Sequence, residues 1–189
     1  IYKAKNGKIY GDTTDGIGLV NDLKNHNVAL KNKTILLLGA GGAARGVVLP
    51  ILNEQPKQLI IANRTLAKAQ VIADQYPNQP IDVCEFADTT NFAFDIIINA
   101  TSTGLSGGEM PIPDSIITSN TICYDMVYGA TLPSFLQKAQ LLGAKQVIDG
   151  LGMLVEQAAE SFAIWRNVKP NTELVLKALR KSLMNKYII

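Results

Sequence analysis

Cysteine, histidine and tryptophan are nearly missing from this sequence, with two, one and one among 189 residues. Two cysteines cannot build a disulfide framework, and no histidine stands at metal-ligand spacing from either, so no metal site is expected. Cys84 and Cys123 lie in separate apolar stretches and read as buried thiols of a reducing cytoplasm. His26, within the polar Lys24-Asn25-His26-Asn27, reads as a solvated loop residue. Neither sign of charge is in excess: 18 Lys and Arg against 16 Asp and Glu leave +2. The cations are scattered and aromatics make up only 6%, which gives nucleic-acid binding little support. No apolar run approaches a membrane span, and neither a signal peptide nor an internal repeat is visible. What remains is a chain with ample apolar content for a core, 47%.

The stretch from Ile35 to Arg45 organises the rest. Ile35 to Leu38 is an apolar run of strand length, followed by Gly39-Ala40-Gly41-Gly42-Ala43-Ala44 and a helix-competent segment. Gly39 permits a tight turn, and Gly41 lets the backbone approach a pyrophosphate. Ala44 is small enough for the helix to lie close against its strand. The unpaired N–H groups at the start of that helix then face the phosphates.

Strands and helices alternate on either side of this stretch. Ile1 to Lys5 and Lys8 to Gly11 read as a β-hairpin around Asn6-Gly7, with a type I′ turn expected. A polar cluster, Gly11 to Gly16, opens a helix carrying Ile17, Leu19, Val20 and Leu23. Buried strands are expected at Thr34–Leu38, Leu59–Ala62, Ile81–Cys84, Phe94–Ile98, Thr121–Tyr124 and Lys145–Ile148. Helices are expected from Gly42 to about Leu52, with Pro50 kinking or shortening it, and from a Thr65 cap to Tyr76. A Gly- and Pro-rich loop runs from Asn99-Ala100-Thr101-Ser102-Thr103-Gly104 to Pro113, and a further helix covers about Ser134 to Leu142. This alternation predicts an α/β fold, a doubly wound parallel sheet of about six strands in the Rossmann manner. Every polar cluster follows the C-terminal end of a strand, the edge at which such sheets bind ligands. Two more helices follow. One carries Leu151, Leu154, Val155, Ala158, Phe162 and Trp165, and the other runs from Thr172 to Met184. They exceed what six strands need for cover.

A site for NAD usually places a carboxylate about 20 residues beyond the glycines, on the ribose 2′-hydroxyl. Here Asn63-Arg64-Thr65 ends the second strand, with Lys68 one turn later and no carboxylate. A guanidinium suits a 2′-phosphate through bidentate, charge-assisted bonds, so the pattern reads as NADP-preferring.

In these residues the chain resembles shikimate dehydrogenase over nearly its whole length. The likeness is carried by Gly11-Asp12-Thr13-Thr14-Asp15-Gly16, Gly39 to Ala43, Asn63 to Thr65, Asn99 to Ser102, Asp125-Met126 with Tyr128, and Asp149 to Met153 with Gln157. It implies an oxidoreductase that reduces 3-dehydroshikimate to shikimate with NADPH, a step towards the aromatic amino acids. By position, Gly39, Ala40, Gly41, Gly42 and Ala43 would hold the pyrophosphate, and Asn63, Arg64, Thr65 and Lys68 the 2′-phosphate. Asn99 and Thr101 belong to the cofactor side, Met126 and Gly150 would line the nicotinamide, and Met153 joins them. Tyr128 and Gln157 would reach the substrate. Gly150, Met153 and Gln157 share a helical face, as one pocket requires. Asp15 would match an aspartate that bonds substrate hydroxyls beside a general acid/base lysine; read without the likeness, it is a helix cap. Lys68 stands where the family usually has Arg, and Thr13 where Asn is common.

The resemblance also implies three regions. Residues 1–16 correspond to a remnant of the substrate domain, 17–149 to the NADP-binding domain, and 150–189 to helices that would pack partly on the substrate domain. The chain begins with Ile inside a hairpin pattern, which suggests a fragment. No residue matches the family's serine pair, its catalytic lysine or its substrate-binding asparagines. NADP(H) binding without turnover is therefore expected, together with self-association through exposed C-terminal helices. Two alternatives stand: a quinate/shikimate dehydrogenase using both NAD and NADP, and a non-catalytic nucleotide-binding module.

Overall fold

A computed structural model describes residues 1–103 and 110–185. The Gly104 end of the expected loop, up to residue 109, and the last four residues lie outside the described residues. The elements in chain order are β1 (Tyr2–Lys3), β2 (Ile9–Tyr10), α1 (Asp15–Asn25), β3 (Thr34–Leu38), α2 (Gly42–Asn53), β4 (Gln58–Ala62), α3 (Leu66–Ala73) and β5 (Ile81–Cys84). They continue as β6 (Ile96–Asn99), β7 (Ile122–Asp125), α4 (Ser134–Leu141), β8 (Gln146–Asp149), α5 (Leu151–Arg166) and α6 (Thr172–Asn185).

Strands β3 to β8 form one sheet in the order β5-β4-β3-β6-β7-β8, and every pairing is parallel. The order runs outward from β3 in one direction and outward from β6 in the other. The reversal falls between β3 and β6, the point where open α/β sheets leave a crevice for ligands. Strand β3 is buried at all five residues, as a strand covered on both faces must be.

Side chains alternate between two cores. Ile35, Leu37, Leu59, Ile61, Ile96, Ile98 and Tyr124 join α1, α2, α3 and the start of α5 on one face. Leu36, Leu38, Ile60, Ile97 and Cys123 join α4, Met110, Ile112 and Ile116 on the other. Helices cover the first face. Among the described residues the second has one α-helix and is otherwise closed by irregular chain, including short 3₁₀ turns at Phe86–Asn91 and Asp114–Ile116. Burial pushes the thiol of Cys84 up to about 11 and that of Cys123 up to about 12, so both stay protonated at neutral pH.

The structure departs from several expectations. The hairpin turn is not type I′. Ala4 pairs with Lys8, Gly7 N–H donates to Ala4, and Gly7 has positive φ (81°) while Asn6 does not. That is a three-residue loop closed by a glycine bulge. Pro50 does not end its helix, which runs on to Asn53. The missing N–H leaves the Gly46 carbonyl open, and the backbone of α1 backs onto it: a Cβ on Gly16 would lie 2.6 Å from that oxygen. Thr65 stands at the N-cap of α3 without a side-chain capping bond, and α3 stops at Ala73. Beyond it, Gln75 and Tyr76 continue in i→i+3 turns. Thr14, not Asp15, occupies the N-cap of α1, and Asp15 is the first helical residue.

His26 is not merely solvated. Its Nδ1 donates to the Asp22 carbonyl at 2.9 Å and lies 3.3 Å from the Asp22 carboxylate, which is buried at 1% exposure. The buried Tyr124 hydroxyl donates to the same carboxylate at 2.7 Å. The side-chain bond to Asp22 raises the His26 pKa above its ordinary 6.5, against the opposing effect of partial burial. A raised folded-state value stabilises the fold fully below the unfolded value, and that gain fades as pH rises through the folded one. The chain should therefore lose resistance to urea as pH rises from about 6.5 through the raised folded-state value, and His26→Gln should flatten that loss. Equal slopes in the two proteins would remove His26 as the cause.

Helix α5 lies against α1 at close range. Gly18 meets the backbone of Gln157 and Met153, and Gly152 meets the Asp22 carboxylate. Helix α6 has no buried residue and is tied to the sheet by Arg180, whose two terminal nitrogens each donate at 2.6 Å to Asp149. Phe162, Trp165, Leu174 and Met184 stand exposed on these two helices. Among the described residues no helix is long and apolar enough to cross a membrane.

Candidate cofactor and substrate site

Strands β3, β4, β6, β7 and β8 end along one edge of the sheet, and almost every expected site residue lies there. Gly39 leaves β3 with φ of +106°, a region that side chains avoid, and its N–H donates to Ala62 at the end of β4. A Cβ on Gly39 would stand 3.0 Å from the methyl carbon of Thr101, so the turn is tight against the loop after β6. Ala40 is buried, whereas Gly41, Gly42 and Ala43 are exposed. A Cβ on Gly41 or Gly42 would meet no atom within 4 Å. The α2 N-terminus has no side-chain cap and no acidic residue in its first turn. Its free N–H groups therefore face an open cradle, the arrangement that receives a pyrophosphate.

At the end of β4, Asn63 is half-buried, and its side-chain amide donates to the Thr65 carbonyl at 2.8 Å. That bond shapes the turn from which Arg64, Thr65 and Lys68 project as exposed side chains. Among the described residues neither Arg64 nor Lys68 has a carboxylate partner. Two unneutralised cations beside an unpaired helix start can serve a phosphate.

Asn99 and Asp125 sit deeper. Both are 0% exposed. Asn99 Nδ2 donates to Asp125 Oδ2 at 3.0 Å, and Asn99 Oδ1 accepts from the N–H and hydroxyl of Thr101 at 2.9 and 2.8 Å. Asp125 Oδ1 accepts the Val127 N–H at 2.9 Å. The Asn99 amide is thus engaged inside the fold at both its oxygen and its nitrogen, and its oxygen sets the position of Thr101. Burial raises the Asp125 carboxyl above its ordinary range, and nearby Asp149 adds to the rise.

Gly150, after β8, lies against Met126: a Cβ there would come within 2.2 Å of the Met126 carbonyl oxygen. Only glycine allows that approach. Met126 is half-buried and Met153 is buried among the residues of the first core. Tyr128 is 40% exposed and makes no hydrogen bond to a described residue.

Gln157 meets the start of α1. Its Oε1 accepts the Thr14 hydroxyl at 3.2 Å, and Thr14 lies 3.0 Å from Ser161 Oγ. Asp15, next in sequence, is half-buried, and among the described residues its carboxylate has no partner. The structure therefore gathers Asp15 and Gln157 at one helix junction and Thr101, Met126 and Gly150 at the strand ends. Sequence reasoning gave no role to the Asp125 carboxylate or to Asp22. Asp22 had a signal: it shares a helical face with Leu19, Leu23 and His26, and a carboxylate on an apolar stripe needs buried donors.

A family model described as shikimate / quinate 5-dehydrogenase matches residues 22–106, and one described as the shikimate 5′-dehydrogenase C-terminal domain matches residues 150–180. The shikimate dehydrogenase (NADP(+)) of Colwellia psychrerythraea is 51% identical over 179 residues, covering 95% of this chain and 65% of that protein. Its counterpart in Photobacterium profundum is 52% identical over 182 residues, covering 96% and 67%. A solved shikimate dehydrogenase in complex with NADP+ superposes with a TM-score of 0.82 at 32% identity, over 95% of this chain and 64% of that one. The chain thus spans about two thirds of the length of the relatives it matches.

Proposed function

Because the chain belongs to the shikimate dehydrogenase family, we propose that its 189 residues hold NADP(H) for the interconversion of 3-dehydroshikimate and shikimate. One observation carries the reading. The bare N-terminus of α2 lies at a strand end bonded to the end of β4, from which unpaired Arg64 projects. The residues present fit a dinucleotide that carries a 2′-phosphate. The α2 N–H groups would take the pyrophosphate, and Arg64, with Lys68 and Thr65, the 2′-phosphate. Met126 and Gly150 would form the wall at the nicotinamide end.

When bound, NADPH supplies the hydride. The chain's part is to hold the cofactor's orientation and to present Asp15, Gln157 and Tyr128 towards the substrate. Asp15, free of partners among the described residues, accepts hydrogen bonds from substrate hydroxyls, and Gln157 keeps an amide N–H₂ for a substrate oxygen. Hydride transfer also needs a group that moves the hydroxyl proton, and no residue here matches the lysine that does so in the family. Without it, these 189 residues bind the cofactor but do not turn over. Buried, protonated Cys84 and Cys123 accord with a reducing cytoplasm as the working compartment.

The test is to mix the purified chain with shikimate and NADP+ and follow NADPH absorbance. No rise above the uncatalysed rate is expected. Ready oxidation of shikimate would refute the division of labour proposed here.

A further inference from the structure

Building on the NADP(H) reading above, we propose that Asp125 is a positioning residue for the cofactor, its carboxylate stapling the loop after β7 to the loop after β6 through Asn99. Each polar atom of the two side chains is engaged. Both are fully buried, and both oxygens of Asp125 and both polar atoms of Asn99 are bonded. The network crosses from one strand end to the next and stops at two places where the fold has no slack. One end is Thr101, whose methyl faces the bare Cα of Gly39. The other is Val127, beside Met126, whose carbonyl faces the bare Cα of Gly150. The distance between the pyrophosphate turn and the nicotinamide wall is thus set by four hydrogen bonds of 2.8–3.0 Å.

Packing alone does not call for this arrangement. An apolar pair could fill the same volume without desolvating a carboxylate, a cost visible in the raised Asp125 pKa. Among the described residues no cation compensates Asp125: its partners are two neutral N–H donors, and Arg180 is engaged on Asp149. What a polar network gives that an apolar pair does not is direction. Each donor has one place to point, so the two loops have one spacing.

The experiment exploits a transposition that the geometry allows. In Asp125→Asn, the new amide brings N–H₂ against either Asn99 Nδ2 or Val127 N–H, and one donor is left facing another. The double variant combines Asn99→Asp with Asp125→Asn. Its amide at position 125 would donate to the carboxylate at position 99 and accept from Val127, while that carboxylate accepts from Thr101. Every bond is restored with the charge moved across. Two probes are titrated: NADPH, and adenosine 2′,5′-bisphosphate, which carries only the half read by Arg64.

Asp125→Asn should weaken NADPH about tenfold and leave the bisphosphate within about twofold, and the double variant should recover NADPH binding. A merely structural role would weaken both probes alike. That result, or a double variant no better than the single, overturns the proposal. If Asp125→Asn does not fold, the double variant decides alone. Folding with both probes bound supports the staple, whereas failure to fold, or binding of the bisphosphate only, overturns it. A wild-type chain that binds neither probe removes the NADP(H) reading itself, and this proposal with it.

Discussion

Replacing Gly150 with alanine is expected to destabilise the chain by about 3 kcal/mol and to abolish tight NADPH binding. The added Cβ would stand 2.2 Å from the Met126 carbonyl oxygen and 2.6 Å from its carbonyl carbon. Both are backbone atoms, so no rotamer change relieves the overlap. Met126 cannot easily retreat, because its N–H is bonded to the Asn99 carbonyl and Val127 is held on both sides, by Asp125 and by Gly150 N–H. Nor is Gly150 free to move, since it opens α5 directly after Asp149, which Arg180 grips with two bonds. The strain falls on the loop expected at the nicotinamide. Urea unfolding and NADPH fluorescence titration measure the two effects separately. A variant within about 0.5 kcal/mol of wild type would mean that the contact relaxes more easily than its atoms suggest.

Arg64→Asp should weaken NADPH about a hundredfold, near 3 kcal/mol, while leaving NADH binding unchanged or improved. Arg64 is exposed, its backbone turn is fixed by Asn63 and Thr65, and among the described residues no carboxylate neutralises it. Its charge is therefore available to a ligand. Aspartate at this place would repel a 2′-phosphate and accept from a 2′-hydroxyl, the arrangement of NAD sites. Lys68 remains as a point charge and limits the loss. NADPH affinity within about twofold of wild type would reduce Arg64 to a solvated loop residue.

The sheet was legible in the sequence because its strands are covered on both faces. Ile35 to Leu38, Leu59 to Ala62 and Ile96 to Ile98 are continuous apolar runs, and the glycines after the first marked the edge where the candidate site is placed. What stayed hidden depended on contacts distant in sequence. Nothing in Phe86 to Asn91 distinguishes a 3₁₀ turn closing the second core from a loop. Pro50 obeys the rule that proline removes a helix bond, but the vacated carbonyl of Gly46 serves as a bed for α1, which no local pattern reveals. The Asn6-Gly7 pair marked the hairpin correctly but not its turn, because the pairing of Ala4 with Lys8 sets a three-residue loop. At the site, residue types pointed to Arg64 and the glycine turn. The network of Asn99 and Asp125 appeared only when two strand ends 26 residues apart were placed side by side.

Calorimetric titration of the 189-residue chain with NADPH, run beside NADH, tests the central claim most directly. NADPH should bind tighter by roughly ten- to a hundredfold, the measure of charge-assisted bonds from Arg64 to the 2′-phosphate. Equal affinities would contradict the reading of that phosphate, and binding of neither would contradict a cofactor site formed within these residues.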